Sequence, residues 1–216
     1  FDKSTHGIKE AAFHLVLLAR NEEGYRNLIK LASAGYLEGF YYKPRIDKDI
    51  LKQYSSNLIA LSACLKGEVA HCILNDQIDR ARDCIRDYQQ IFGKENFYLE
   101  VQDHGLKEQK LVNQTMFALS QETGAPIVAT NDIHYIEEKD ALAHEVLLCI
   151  QTGTTVNDEN RMKFSSDEFY MKSYEQMAEL FLEHPEVLQN SVEIANRCNV
   201  EFDFSVTHLP PFVPPA

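Results

Sequence analysis

The sequence contains no tryptophan and only five cysteines in 216 residues, and no two cysteines form a CxxC pair. An odd number of cysteines in a chain of this size does not indicate a disulfide framework, so we expect a reducing, cytoplasmic compartment. Cys72, Cys84, Cys149 and Cys198 fall within helical patterns, where a small buried side chain is the ordinary interpretation. Cys64 differs from these four because it follows a predicted strand.

Long apolar runs are also absent: none approaches the roughly 18 to 20 residues of a membrane helix, and residues 1–7 do not resemble a signal peptide. The chain lacks an initiator Met and starts in a polar segment, which suggests a piece of a longer protein. Its net charge is −12, which disfavours sequence-independent binding to phosphate backbones. An acidic protein that handles nucleic acid therefore needs a metal ion or a local basic patch.

A glycine-rich phosphate loop and internal repeats are missing as well, and the visible pattern is an alternation of strands and helices. Apolar runs predict strands at 13–19, 57–62, 97–101 and 126–129, and periodicity predicts helices at 22–34, 47–54, 68–74, 76–92 and 106–123. Four alternations favour a parallel α/β architecture. Four strands are too few to close a barrel of about eight strands, so a barrel would need further strands before Phe1.

The last third of the sequence is predicted to be more irregular. Helical patterns occur at 140–151, from a capping box at Ser173 to 182, and at 185–198, while 153–170 is predicted to be a surface loop. Residues 200–204 are compatible with a strand. The proline-rich segment 209–215 is typical of an extended linker.

Candidate metal ligands follow two of the predicted strands. Asp132 and His134 come directly after the fourth strand, and an extended backbone would point both side chains the same way. Cys64 follows the second strand and shares its alternation with Ala60 and Ser62. Thiolate, imidazole and carboxylate together suit zinc or a similar metal. A core cysteine, and an Asp-x-His that only caps and hydrogen-bonds, are the alternatives.

Other polar residues near the strand ends leave two interpretations open. Glu100 is predicted either to support a metal ligand or to face solvent, and Asp103 and His104 are expected to form the turn after the third strand. Lys43 and Arg45 lie in an aromatic, basic loop, where they either meet phosphates or form a solvated rim.

Several motifs, in order from residue 13 to residue 215, resemble the PHP (polymerase and histidinol phosphatase) domain of the bacterial replicative DNA polymerase III alpha subunits. The similarity rests on residues 14–28 (HLVLLARNEEGYRNL), 42–47 (YKPRID), 61–68 (LSACLKGE), 97–100 (FYLE), 129–135 (ATNDIHY) and 161–164 (RMKF). Because several long motifs agree in order, the resemblance covers nearly the whole chain and is specific.

The resemblance implies an α/β fold, a distorted (βα)7 barrel that here lacks its first strands. The barrel part would span residues 1–152, a loop and helices leading out of it 153–200, and an extended linker toward a polymerase palm 201–216. The start of the first predicted strand matches the family's histidine ligand, His14. For His14 to meet ligands at the other strand ends, its strand must run antiparallel to its neighbours, or the predicted start of the strand is wrong; we predict the antiparallel strand.

The resemblance also implies a divalent metal cluster of Zn, Mn or Mg, with His14, Cys64, Asp132 and His134 as ligands. Asp132 and His134 would serve catalysis. The family's remaining ligands belong to an earlier segment that is absent from this sequence, so the cluster is expected to be incomplete or empty in this chain alone.

The function implied by the resemblance is metal-dependent phosphodiester hydrolysis, a 3′–5′ exonuclease that proofreads within a DNA-directed DNA polymerase, a nucleotidyltransferase of DNA replication. The expected partners are the primer 3′ end of DNA and other replicase subunits, such as a proofreading exonuclease or a sliding clamp, with no membrane involved. A non-catalytic domain that docks partners is the alternative. A free-standing histidinol-phosphatase-like enzyme fits less well, because the proline-rich end suggests a connection onward.

Overall fold

The structure is a computed structural model that describes residues 12–205, 207, 209 and 212. Its four strands are β1 Val16–Ala19, β2 Leu58–Leu61, β3 Phe97–Val101 and β4 Ile127–Ala129. Its helices are α1 Glu22–Leu37, α2 Lys48–Gln53, α3 Glu68–Leu74, α4 Ile78–Phe92, α5 Lys107–Thr123, α6 Ala141–Thr152, α7 Tyr174–Leu180 and α8 Glu186–Arg197. Each predicted strand up to residue 129 and each predicted helix is therefore present.

The strands form one sheet in the order β1-β2-β3-β4. Strands β2, β3 and β4 are parallel, as the alternation predicted, and β1 runs antiparallel to β2 with Val16 opposite Leu61. The fold is thus a mixed α/β arrangement, and the antiparallel first strand is confirmed. As a consequence, the start of β1 lies at the same sheet edge as the carboxyl ends of its neighbours.

Each face of the sheet packs against its own hydrophobic core. Ala60, Leu99 and Ala129 belong to the larger core, which includes apolar residues of α3, α4 and α5. The alternate residues Ile59, Leu61, Tyr98 and Val128 form a smaller core with Ile194 of α8. This is the two-residue period of a sheet buried on both sides. Ala60 and Val128 therefore lie on opposite faces.

Several predicted boundaries shift for local reasons. Gly35 does not end α1; the helix continues to Leu37, because Gly35 packs against the backbone of Arg45 instead of turning the chain. Gly93 does end α4 and adopts a φ of 88° there. Helix α7 stops at Leu180, two residues before its predicted end.

The irregular segments differ from the sequence prediction in two places. Segment 153–170 is not wholly a surface loop, because Phe169 is buried and Tyr170 forms a bridge with Tyr135. Residues 200–204 form no strand. Most of the predicted linker lies outside the described residues, and the three-part division of the chain stays a prediction. Within the described ranges, no helix has both the length and the apolarity to cross a membrane.

Candidate metal centre

His14 and Cys64 meet at the edge where β1 begins and β2 ends. The amide of His14 donates to the carbonyl oxygen of Lys66 at 3.0 Å, and the two segments form an isolated bridge between His14 and Gly67. These backbone contacts bring His14 Nδ1 to 3.8 Å from Cys64 Sγ. The pairing of imidazole and thiol that the resemblance implied is therefore present in the folded chain.

Cys64 reaches this position because regular alternation ends before it. The sequence argument assumed an extended backbone and so placed Ala60, Ser62 and Cys64 on one face of the sheet. In the structure, Ala60 faces the larger hydrophobic core. Ala63 adopts a φ of 63°, in the left-handed region that non-glycine residues seldom occupy. Strain of this kind is often found at functional sites. The alternation argument for Cys64 was wrong, and this local turn redirects the chain.

Asp132 itself adopts a left-handed backbone conformation, which determines its position. Strand β4 ends at Ala129, and Asp132 has a φ of 45°, so the extended-backbone argument for Asp132 and His134 was wrong. Aspartate tolerates this region better than most residues. Its carboxylate lies close enough to raise the pKa of Cys64 and to oppose the lowering of the pKa of His14.

His134 makes hydrogen bonds to Asp132, which precedes it, and to Phe169, which lies beyond the loop that follows it. Its amide donates to the carbonyl oxygen of Phe169 at 2.9 Å, and its ring Nδ1 lies 2.8 Å from the carbonyl oxygen of Asp132. This contact assigns the proton to Nδ1 and leaves the lone pair of Nε2 available as a metal ligand. The rings of Phe164 and Phe169 pack edge-on against His134, and His144 lies beyond it.

The ionisation of the donors follows from burial and neighbouring charge. Burial is the main cause that lowers the pKa of His14, and Lys66 and Lys43 add to it. Burial likewise raises the pKa of the Cys64 thiol, with Asp132 and Glu100 contributing. His14 is therefore in the neutral form that binds metals, whereas Cys64 needs a bound cation to favour its thiolate.

The donor set fits a borderline divalent ion, because it combines imidazole nitrogen, thiol sulfur and carboxylate oxygen. In the part of the chain that the structure describes, no three His, Cys, Asp or Glu side chains already stand close enough together to hold an ion. His14, Cys64, Asp132 and His134 are therefore candidate donors, which would form only one corner of a metal centre. We refer to them below as the metal corner.

Glu100 is a residue whose importance the sequence left undecided. It is 6% exposed, so the solvent-facing interpretation was wrong. Burial raises the pKa of Glu100, while hydrogen bonds from Thr130 and Gln102 oppose this and Asp132 adds to it. In the sequence, the apolar residues around this glutamate in strand 97–101 were the signal that it is buried.

Asp103 and His104 form a turn, as predicted. Asp103 Oδ1 accepts a hydrogen bond from the amide of Gly105 at 2.9 Å. His104 is 1% exposed; Gln109 donates to its Nδ1 and its Nε2 donates to the carbonyl oxygen of Asn131. This neutral histidine therefore fixes the peptide that precedes Asp132.

The two predicted phosphate contacts are placed differently. Arg45 is 7% exposed, its Nε lies 3.4 Å from the carbonyl oxygen of Gly39, and its guanidinium lies over the ring of Tyr41. Lys43 is exposed and near enough to His14 to lower its pKa. Lys43 is thus the better placed of the two to contact a phosphate near His14. Both phosphate contacts stay predictions.

The partly buried Glu68 and the buried Glu100 are expected to affect stability in opposite directions. Burial acts to raise the pKa of Glu68, but Lys48, at 3.1 Å, brings it below its ordinary value. In chelator at pH 7.5, Glu68→Gln should therefore lower the free energy of unfolding by about 1 to 2 kcal/mol, and Glu100→Gln should raise it by up to about 1 kcal/mol.

The pH dependence of these two effects has opposite origins. The stabilisation by Glu68 is present above its unfolded pKa and is lost as the pH falls through its lowered folded value. The penalty from Glu100 is present above its raised folded pKa and disappears below its unfolded value. Pulse proteolysis in urea at pH 7.5 and at pH 4 measures both. Equal signs for the two variants at pH 7.5 would contradict this assignment.

The fold and the candidate donors define a class: a mixed α/β domain with nitrogen, sulfur and oxygen donors near the ends of its strands. Residues 3–104 match the model of the PHP domain. This stretch, slightly less than half of the chain, is similar to the PHP domain family. The chain is similar over most of its length to proteins named DNA polymerase III subunit alpha.

Three of these relatives show the extent of the similarity. The chain is 48% identical over 200 residues to the protein of Treponema pallidum, 46% over 214 residues to that of Borreliella burgdorferi and 46% over 216 residues to that of Thermus aquaticus. The matches cover 93%, 99% and 97% of this chain. They cover 17%, 18% and 18% of the relatives, so the chain spans less than one fifth of their length.

Proposed function

We propose that this chain is the PHP part of a bacterial replicative DNA polymerase and that it hydrolyses phosphodiester bonds at DNA 3′ ends with divalent metal ions. The observation that carries the proposal is the convergence of His14, Cys64 and Asp132 at one sheet edge, with His134 hydrogen-bonded to the Asp132 carbonyl. The names of the relatives support the context of DNA replication.

The chemistry follows from the charge of the chain and of the substrate. A net charge of −12 repels a phosphodiester, so the site must reverse the sign locally. Bound divalent ions supply that positive charge and lower the pKa of a water to roughly 7. His14 and His134 offer imidazole nitrogens, Asp132 offers a carboxylate, and exposed Lys43 and Lys66 beside His14 attract the phosphate.

The larger architecture belongs to the same proposal. The four strands would be part of a distorted (βα)7 barrel, whose additional strands would bring the remaining ligands opposite the metal corner. The complete polypeptide would polymerise DNA in the cytoplasm, bind a primer 3′ end and assemble with replicase subunits such as a sliding clamp or a proofreading exonuclease.

A structural and docking role is the second candidate, and an exposed apolar face of α6 favours it. Leu142, Leu147 and Ile150 on this helix are 69%, 62% and 72% exposed. Apolar side chains exposed together mark contact surfaces. In this alternative, metal ions would stabilise the domain without turnover on single-stranded DNA.

Cys64→Ser tests the proposal directly. In the complete polypeptide, hydrolysis of single-stranded DNA from the 3′ end should fall by about 10- to 100-fold, because serine is a poor substitute for a thiolate ligand. Cys198→Ser is the matched control, since Cys198 is also a half-buried thiol but lies at the end of α8. An unchanged rate for Cys64→Ser, with polymerisation intact in both variants, would contradict the proposal.

A further inference from the structure

One carboxylate oxygen of Glu100 accepts two hydrogen bonds, whereas the other is an unpaired acceptor in the described part of the chain, called the vacant oxygen below. Oε1 accepts hydrogen bonds from Thr130 Oγ1 at 2.5 Å and from Gln102 Nε2 at 3.0 Å. Oε2 is buried and forms no well-oriented hydrogen bond among the described residues; the backbone of Ala63 lies near enough to the carboxylate to oppose the rise in its pKa. Because two donors bind Oε1, the carboxylate has a fixed orientation. The vacant oxygen therefore cannot rotate toward solvent. A buried acceptor left unpaired costs free energy unless a ligand satisfies it.

Glu100 lies on the strand between the two strands that lead to metal-corner residues. Strand β3 lies between β2 and β4, which lead to Cys64 and Asp132. Both residues interact electrostatically with Glu100. Ser62 Oγ accepts a hydrogen bond from the amide of Glu100 at 2.8 Å, which ties the end of β2 to this position. Two carboxylates and a thiol that interact electrostatically favour a cation beside them.

We infer that Glu100 is a positioning residue of the metal corner, an inference that rests on the proposed function. Its Oε2 accepts a hydrogen bond from water in the coordination shell of a divalent ion that Cys64 and Asp132 hold. An outer-shell contact fits better than direct ligation, because Glu100, Cys64 and Asp132 do not stand together as a ready three-ligand group. Carboxylates that hydrogen-bond to the groups around a metal commonly orient them and tune affinity.

The test replaces only the vacant acceptor. In Glu100→Gln, Oε1 still receives both donors, whereas the amide nitrogen that replaces Oε2 cannot accept a hydrogen bond. In the complete polypeptide, chelator competition should show about 10- to 100-fold weaker Co²⁺ binding. The thiolate-to-cobalt absorption band should persist, because Cys64 is unchanged. Glu68→Gln, at a partly buried glutamate paired with Lys48, is the matched control and should bind Co²⁺ as the wild type does.

The outcomes separate this inference from the function on which it rests. Equal Co²⁺ affinity in Glu100→Gln and wild type overturns the role of Glu100 and leaves the metal corner standing. No Co²⁺ binding by the wild type overturns the proposed function as well. If the melting temperature of Glu100→Gln in the presence of a chelator is no lower than that of the wild type, weaker Co²⁺ binding does not reflect misfolding. If that variant does not fold, Thr130→Val decides, because it removes one anchor of Oε1; an unchanged affinity there also overturns the inference.

Discussion

Asp132→Asn should reduce 3′–5′ hydrolysis by the complete polypeptide about 10³-fold, which corresponds to about 4 kcal/mol of lost transition-state stabilisation. The amide keeps the shape of the side chain but removes the charge that a divalent ion requires. Asparagine also tolerates the left-handed backbone that Asp132 adopts, so the fold should be preserved. Polymerisation should continue, since the proposed function assigns Asp132 to hydrolysis alone. Release of mononucleotides from a 3′-labelled single strand measures the effect.

Asp103→Asn is the matched control for this prediction. Asp103 follows β3 much as Asp132 follows β4, but its carboxylate caps a turn at Gly105. An asparagine there still accepts that hydrogen bond, so hydrolysis should stay within a factor of about two. Retained hydrolysis in Asp132→Asn, or an equal loss in both variants, would contradict the assignment of Asp132 to the centre.

Gly67→Ala should destabilise the domain by about 3 kcal/mol or more and separate His14 from Cys64. A Cβ at Gly67 would lie 2.0 Å from the carbonyl oxygen of Ser62, so the backbone must move. That movement affects the turn that presents Cys64, because the amide of Gly67 donates to the Cys64 carbonyl oxygen at 2.8 Å. Hydrogen exchange in the complete polypeptide should show lost protection over residues 58–74.

Gly35→Ala provides the comparison for Gly67→Ala. A Cβ there would meet its nearest neighbours at 3.5 Å, an ordinary contact, within the helix α1. Alanine also has a better helix propensity than glycine. Protection should therefore be unchanged or slightly higher. A Gly67→Ala variant with wild-type protection over residues 58–74 would show that the close approach does not determine the corner.

The sheet was largely predictable because each strand is a short apolar run with its own boundaries. Apolar runs identified all four strands up to residue 129, and the requirement that His14 join the other donors predicted the antiparallel β1. The same reasoning failed at residues 200–204, where apolar residues alternate but no partner strand lies beside them in the described chain. Local pattern establishes that a strand is possible, whereas pairing decides whether it forms.

The candidate site was predictable in its residues but not in its geometry. Motif similarity identified Cys64 and Asp132, yet the arguments about which way their side chains point assumed an extended backbone. Ala63 and Asp132 break that assumption with positive φ angles of 63° and 45°, and nothing in the local sequence requires an alanine to adopt one. The apolar residues beside Glu100 indicated burial, but its hydrogen-bond partners could not be predicted, since Ser62 and Thr130 come from the segments that follow β2 and β4.

Elemental analysis of the purified complete polypeptide, wild type beside Asp132→Asn, tests the central claim most directly. If the strand ends form a metal centre, the wild type should retain divalent metal in stoichiometric amounts, and Asp132→Asn should lose a substantial part of it while remaining folded. The same metal content in both proteins, or none in the wild type, would contradict a metal centre at Asp132.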